Sequence, residues 1–563
     1  MFILRHLQHA ARQLKPHGSP RLHAAFIDFK QAYDTIPRCK LWLHLQQISM
    51  PTTLLNVVRD MYDNDSYILV DGPKSASVHP NRGVKQGCPL SPLLFSLYIN
   101  DIGEIAEGVH GAVTGTEGVR VTHALYADDL TLVSNSIPQV QRMLDRLAVY
   151  ARKKSLIVNV AKSEVVHFNS RSAMIPELRF EQAVLACRDS FKYLGMLFTK
   201  ELNMRKAADL AVQPFMAATH RVREFLHTHS LTSRPHTALW LAKTYVIPAG
   251  MYGSQVWGTQ YLRSGQEFKS TVQKCHLGLL KSILGIKRSA PTWAVLRECG
   301  HEPLQFYWFR ATVKFYNSML NSNSNLLRQV LKADCALRMR DQKCWTAEFL
   351  SGLHSLQHGD VFRNAVIQGQ KLCMQQVVTQ LRCRQQAIWI SVDGLDPRVV
   401  HEHSKLAAYH NWFALPLSDT QSALLPRYLH MDLPKHVTRA TSRFRLRAHD
   451  FKVETAHYNN TSSVCDQCAC LEIQDEKHML FYCHDARVCA LRTKYASLFS
   501  SLFSRLQHFS MTVDPFLRTF HHVSNQDVSD FLEQHSNKLF FFLFELMHVF
   551  MLAGSNQQAE QPN

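Results

Sequence analysis

Apolar positions change their period along the chain, and the changes predict its elements. Leu22 to Phe29 is a short apolar run with an acid near its end, the pattern of a buried strand. Pro37 opens a helical pattern at Leu41, Trp42, Leu45 and Ile48. From Pro89 to Ile102, apolar residues at 90, 93, 94, 97 and 98 trace the stripe of an amphipathic helix. Leu125 to Val133 reads as two apolar strands around a tight turn at Ala127-Asp128-Asp129. Pro138 then opens a helix with Val140, Met143, Leu144, Leu147 and Ala151 on one face, and Val158 and Val165 to Phe168 read as further strands. The first 200 residues therefore mix strands and helices. From about 205 to 455 the pattern is mostly helical, with turns at Pro248-Ala249-Gly250 and Asp393-Gly394. The last stretch holds a Cys/His cluster, then helices, then a polar tail, Ser555 to Asn563, expected to be disordered. The most apolar late segment, Leu539 to Leu552, is broken by Glu545 and His548. It is shorter than the roughly 20 residues of a bilayer span, so it reads as a buried helix.

Composition narrows this picture. A length of 563 residues suggests about two to four domains, and 46% hydrophobic with 19% charged residues excludes wholesale disorder. Sixty-three Lys+Arg against 45 Asp+Glu give a formal charge of +18, which fits either a polyanionic partner or a solvated basic surface. The 14 cysteines are scattered, and Cys39, Cys275 and Cys373 sit in apolar helical stretches, as in a reduced intracellular compartment. Met1 to His6 has too short an apolar run for a signal peptide.

Two segments carry candidate chemistry: Phe26-Ile27-Asp28-Phe29-Lys30-Gln31-Ala32-Tyr33-Asp34 and Ala124-Leu125-Tyr126-Ala127-Asp128-Asp129-Leu130. In each, an acid stands where an apolar strand ends. Paired acids in an apolar turn suffer desolvation and mutual repulsion unless a cation neutralises them. Mg²⁺ fits, and two such ions roughly 3.5–4 Å apart would serve an in-line phosphoryl transfer. A lone Asp-Asp is usually only a turn, so the ordered neighbours of Asp128-Asp129 decide the reading.

Those neighbours resemble the reverse transcriptases of non-LTR (LINE-type) retrotransposons, over about residues 22 to 550. Asp28 to Asp34 is similar to the family's first catalytic motif. Gly83-Val84-Lys85-Gln86-Gly87-Cys88-Pro89-Leu90-Ser91-Pro92 is similar to its Gln-Gly motif, and Tyr126-Ala127-Asp128-Asp129 to its aspartate box. Leu156 to Ser163 resembles the lysine motif that follows, and Phe191-Lys192-Tyr193-Leu194-Gly195 the primer grip. The resemblance implies that Asp28 and Asp128 hold two Mg²⁺ ions, with Asp129 beside them and the backbone carbonyl of Phe29 in reach of one. It implies that Tyr33 lies under the incoming sugar and favours dNTPs over rNTPs, and that Gln86 and Gly87 border nucleotide and template. Lys162 becomes a general acid for pyrophosphate release or a charge near the triphosphate. Core packing for Tyr33, a plain helix start for Gly87 and a solvated Lys162 are the competing structural readings.

Val246 to Gly258 and Ala290 to Gly300 resemble the family's thumb, where Lys281, Lys287 and Arg288 would suit backbone contacts with a template–primer duplex, or lie on an ordinary exposed face. Arg439, Arg443, Arg445 and Arg447, interleaved with Phe444, suit single-stranded nucleic acid or a solvated amphipathic element. Cys465-x2-Cys468 and His478-x4-Cys483 suit a tetrahedral structural Zn²⁺, with Met479-Leu480-Phe481 packing the unit and Cys470 and Cys489 as competing ligands. The family places a CCHC knuckle at this point.

The expected architecture is α+β. It comprises a right-hand polymerase palm over 1–200 with the fingers largely missing, a helical thumb over 201–330 and a helical linker region over 331–455. A CCHC zinc knuckle follows over 456–500, with C-terminal helices and tail over 501–563. The resemblance implies an RNA-directed DNA polymerase working on RNA template, DNA primer and dNTPs, in the nucleus with the cytoplasm as a second location, with no membrane association and no indication of oligomeric state. With 27 residues before Asp28 and no recognisable endonuclease, the chain reads as N-terminally truncated. A catalytically inactive nucleic-acid-binding remnant is thus the alternative. A group II intron maturase shares the palm motifs, but the Cys/His cluster and the Tyr252-Gly253 segment argue against it.

Overall fold

The run from Leu22 becomes a strand because its side chains feed two apolar cores at once. It is β1, Leu22–Ile27, buried at every position. Leu22, Ala24 and Phe26 enter one core, while Ala25 and Ile27 enter the other. Alternation on a two-residue period explains why a strand covered on both faces reads as unbroken apolar sequence.

The structure is a computed structural model that describes all residues except 14–20, 64–66, 72–73, 79, 86, 116–118, 170–175, 288, 392–408, 410, 414–424, 501, 503–512, 515–518, 521–522, 535 and 550–563. Gln86, Arg288, the Asp393-Gly394 turn, Leu552 and the polar tail lie outside the described residues.

β1 is central in a sheet with β2 (His123–Tyr126), β3 (Asp129–Ser134), β4 (Glu164–Phe168) and β5 (Ala186–Arg188). Their spatial order is β5-β4-β1-β3-β2. All pairings are antiparallel except β5 with β4. A hairpin follows, β6 (Ser190–Tyr193) with β7 (Met196–Thr199). Helices complete the frame: α1 (Phe2–Gln13), α2 (Arg38–Gln47), α3 (Ser91–Tyr98), α4 (Ile137–Lys154), α5 (Thr271–Leu284), α6 (Leu304–Leu320), α7 (Asn325–Leu337), α8 (Trp345–His354), α9 (Lys435–Arg445) and α10 (Asn537–His548). The protein is thus a mixed helix-and-sheet fold, and no helix of the described residues is long and apolar enough to cross a membrane.

One face of the sheet packs on α2, α3 and α4. On α4 the predicted face, Val140, Met143, Leu144, Leu147 and Ala151, is buried. On α3 the stripe is displaced by one position: Ser91, Leu94, Phe95 and Tyr98 are buried, and Leu93 is 55% exposed. Two apolar phases compete in Leu90 to Tyr98, and the larger rings of Phe95 and Tyr98 take the core. The helix also ends at Tyr98, giving way to a 3₁₀ stretch from Asn100 to Ala106 rather than continuing to Ile102.

The opposite face joins a cluster running from Phe2 to Leu381, which crosses the boundaries expected near 200 and 330. The pattern did not foretell α1 here. Arg5, His6 and His9 look like surface residues but are buried, paired with Glu348 at 2.6 Å, Asp334 at 2.7 Å and Asp341 at 2.7 Å. A further cluster gathers Trp412, Phe444, Phe481, Phe531 and Phe542 with the Cys/His segment and α10. In α10, Leu539, Phe540, Phe542, Leu543, Leu546 and Met547 are buried, as its sequence implied.

Candidate active site and metal centre

Register brings the acids to one edge. β1 pairs with β3 as far as Ile27 with Leu130, so Asp28 and Asp129 flank the last pair of the ladder, near enough for Asp28 to act on Asp129. Tyr126 pairs with Asp129, leaving Ala127 and Asp128 as the two-residue turn between β2 and β3. Ala127 has φ of +54°, and Gln31 beside the other acid has φ of +45°, both in the left-handed region that non-glycine residues seldom occupy. Such backbone is retained where the surroundings over-determine it, commonly at functional sites.

The three carboxylates feel one another. Asp129 has its pKa raised, first by partial burial and then by Asp128 and Asp28. Tyr33 is half-buried with its ring 4.8 Å from Phe95, and its hydroxyl is pushed up by burial and by Asp128. Tyr33 therefore stands beside the acid cluster and also packs on the core helix, as its core-packing reading expects.

A segment whose spacing gave little away holds Asp28. Asn159 Nδ2 donates to Asp28 Oδ2 at 3.0 Å, the Asn159 amide donates to the Asp28 carbonyl at 2.7 Å, and the Asp28 amide donates to Ser163 Oγ at 3.1 Å. Phe29 bridges Val158 through the Asp28 carbonyl and the Lys30 amide, so the carbonyl of Phe29 itself points away from that contact. Lys162 is exposed in the turn after Asn159. Asn159 and Ser163 were the residues sequence reasoning passed over. Both lie within the quoted Leu156–Ser163 motif, whose lysine drew the attention instead.

The remaining motifs converge on the same end. The Val84 amide donates to Tyr33 O at 2.8 Å, and Gly83 lies so close that a Cβ there would meet Asp34 O at 2.9 Å. Gly87 has φ of +82° and is exposed just before α3. Phe191 of the hairpin stacks on Phe26 of β1 at 4.1 Å. At its turn, Leu194 O accepts from the Tyr252 hydroxyl at 2.8 Å, and a Cβ on Gly195 would meet the Tyr252 ring at 2.8 Å.

Several cations expected at nucleic acid are engaged within the protein. Lys281 Nζ donates to Ala290 O at 2.8 Å, and Lys287 pairs with Asp450. Arg445 grips the fully buried Glu298 at 2.6 and 3.2 Å, and that carboxylate also accepts from the Tyr409 and Tyr428 hydroxyls at 2.7 and 2.8 Å. Arg447, 2% exposed, meets Glu476 at 3.0 Å and Glu454 at 3.2 Å. This corrects both readings of Arg445 and Arg447: they neutralise buried carboxylates, which are costly to leave unpaired.

Among the described residues, Cys465, Cys468, His478 and Cys483 are the set whose ligand atoms all lie within 4.8 Å of one another. Backbone pairing explains the convergence. The Cys465 amide donates to Glu472 O, closing the first pair's loop, and the Cys483 amide donates to His478 O, both at 2.8 Å. His478 Nδ1 meets Glu472 Oε2 at 3.2 Å, which leaves Nε2 facing the thiols, 3.4 Å from Cys468 Sγ. A carboxylate on the outer nitrogen is the usual second support of a metal-binding imidazole. Three thiols and one imidazole are a donor set compatible with zinc. Cys470 and Cys489 lie outside this set, and their thiols donate to the backbone carbonyls of Tyr482 and Cys483. Met479, Leu480 and Phe481 are fully buried beside the cluster.

Residues 3–198 match the family model described as reverse transcriptase (RNA-dependent DNA polymerase). The chain is 25% identical over 240 residues to the RNA-directed DNA polymerase from mobile element jockey of Drosophila melanogaster, covering 42% of this chain and 26% of that protein. It is 25% identical over 268 residues to the retrovirus-related Pol polyprotein from type-1 retrotransposable element R2 of Popillia japonica, covering 45% of this chain and 36% of that one. A third relative is the Pol polyprotein from type-2 retrotransposable element R2DM of Drosophila melanogaster, 28% identical over 199 residues, 31% of this chain and 18% of that protein. The chain therefore spans well under half the length of these curated relatives.

Proposed function

Residues 3–198 are a reverse transcriptase domain of the non-LTR (LINE-type) retrotransposon kind, and on that premise we propose that this chain is an RNA-directed DNA polymerase extending a DNA primer along an RNA template with dNTPs. The observation that carries the proposal is the β1–β3 register, whose last pair, Ile27 with Leu130, brings Asp28 and Asp129 to one edge beside the Asp128 turn. The sheet with its helices is then the palm of a right-hand polymerase, and the helices after the hairpin its thumb. Reverse transcriptases use divalent metal ions, and Asp28 and Asp128 are the residues that would hold two Mg²⁺, whose charge would neutralise the transferring phosphate.

The chain's own groups do the rest. Asn159 fixes the Asp28 carboxylate, so one oxygen is committed and the other is free to turn to the reaction. Asp129 adds negative charge beside Asp128. The Tyr33 ring, braced on Phe95, walls the side of the site where the sugar of an incoming nucleotide would lie. Gly87 lets backbone approach the nucleotide without a Cβ, and Lys162, exposed in its turn, is the candidate to protonate the leaving pyrophosphate. The Tyr252 hydroxyl holds the hairpin turn that would guide the primer end. Cys465, Cys468, His478 and Cys483 would bind one structural Zn²⁺, and the workplace proposed is the nucleus.

Primer extension on poly(rA)/oligo(dT) with Mg²⁺ and dTTP tests this. Wild type should extend, and Asp128→Ala should lose the activity. No extension by wild type, with RNA binding retained, would replace the proposal with the non-catalytic remnant.

A further inference from the structure

We propose that the groove between α9 and α10 is a second binding site for single-stranded nucleic acid, outside the reverse transcriptase domain. It goes beyond the polymerase reading, since it needs no part of the carboxylate site.

A cavity of ≈350 Å³ opens between the two helices, lined on one side by Lys435, His436, Arg439 and Arg443 and on the other by Phe544 and His548. No acid lines it. Lys435, Arg439 and Arg443 follow one another at four-residue steps, so their side chains share one face, about 6 Å apart along the axis. Like charges in that array repel unless something anionic lies across them. Lys435 and Arg439 are exposed, and among the described residues neither meets a carboxylate. Arg443 keeps its place by donating from Nε to Gly285 O at 3.0 Å, which leaves its terminal nitrogens for a ligand. The nearest acid on α10, Glu545, is occupied elsewhere, by Lys494 Nζ at 2.7 Å and the Tyr495 hydroxyl at 2.7 Å.

The opposite wall is aromatic. Phe544 lies 4.7 Å from the His436 ring and 4.2 Å from the His548 ring, and His548 Nδ1 bonds Phe544 O at 2.8 Å, fixing that imidazole. Phe544 is half-buried and lines the groove. Cations in series beside an aromatic platform match a strand that offers phosphates on one side and bases on the other. An isolated phosphate would use the cations and leave the rings without a role. The same segment contains Arg445 and Arg447, turned inward to buried carboxylates. The fold thus divides one basic stretch into a structural half and a surface half.

The test is photocrosslinking of the full chain to a 20-nucleotide oligo(U) carrying 4-thiouridine, in EDTA and without dNTPs, with peptides mapped by mass spectrometry. Crosslinks are expected in peptides containing His436, Phe544 or His548. In Lys435→Gln/Arg439→Gln their yield should fall at least about fivefold, crosslinks within residues 3–198 should persist, and the slope of log K against log[salt] should drop by about 1.4. Both replaced side chains are exposed, so the melting temperature should not move. Absence of crosslinks at these peptides, or yields unchanged in the double variant, would overturn the assignment. So would competition by inorganic polyphosphate as effective as unlabelled oligo(U) at equal phosphate. Failure of the polymerase reading would appear in the primer-extension assay alone.

Discussion

The carboxylate edge and the Cys/His set each bring ligands from two stretches of chain to one point, yet they are built on opposite principles. At the carboxylate edge, Asp28, Asp128 and Asp129 sit at strand ends, half-buried or exposed, and repel one another. The sheet beneath them is stable for its own reasons, with β1 buried throughout. In the Cys/His set the ligands are themselves core: Cys465, His478 and Cys483 are 3%, 1% and 0% exposed and pack with Phe481 and Val488. One site is a strained, charged feature supported by a finished fold. The other is part of what finishes its fold. The difference teaches that a candidate catalytic centre can be altered without unfolding the chain, whereas a candidate structural centre cannot.

The largest effect expected from this contrast is at the second centre. Structural zinc in small domains is worth on the order of 10 kcal/mol of apparent folding free energy. Cys483→Ser, or chelation, should therefore remove the bound zinc measured by elemental analysis and open residues after about 430 to limited proteolysis. A variant that keeps its protease resistance would break the comparison from that side. Next, Asp128→Ala should reduce primer extension by about 10³-fold or more, about 4 kcal/mol in barrier, while leaving the melting temperature equal or slightly higher, because a repulsive charge is gone. A large fall in melting temperature would mean the carboxylates are structural after all.

Acid should act on the sheet through its buried histidines. His23 and His167 face each other across β1 and β4 with Nδ1 atoms 2.7 Å apart. Burial, then each other's charge for His23, and the cations Arg21 and Lys200, lower them to about 3 and about 4. Histidines depressed in the folded state bind more protons when unfolded between those values and about 6.5. Their contribution is intact above about pH 6.5 and is lost as pH falls toward 4. Chemical denaturation at pH 7, 5.5 and 4.5 should show that decline, and His23→Gln/His167→Gln should flatten it. The smallest effect expected is at Asn159→Ala, which removes a hydrogen bond to a charged group and should lower extension by about tenfold with no loss of zinc.

The carboxylate and Cys/His positions were both legible because their chemistry depends on residue type at short spacing. Asp28 follows one apolar strand run and Asp129 opens another, so the apolar runs that announce the strands also mark the acids. Cys465, Cys468, His478 and Cys483 lie close enough along the chain for local hydrogen bonds to gather them. Asn159 was not legible in its role, since an asparagine in a turn looks the same whether or not a carboxylate stands across from it. Nor was the fate of Arg445 and Arg447: a basic, aromatic stretch gives no sign that Glu298, 147 residues away, has been left buried and waiting.

By itself the sequence determined the strand and helix periods, the order of the motifs and the identity of the chemical groups, because these depend on neighbours within a few residues. Only the tertiary structure decided that α1, through His6 and His9, is pinned to Asp334 and Asp341 more than 300 residues on. Likewise, it chose the phase in which α3 meets the core and which arginines face inward. The reason is physical. Burying a charge or choosing between two apolar phases is a balance between desolvation and a partner, and the partner's position exists only once distant segments have packed.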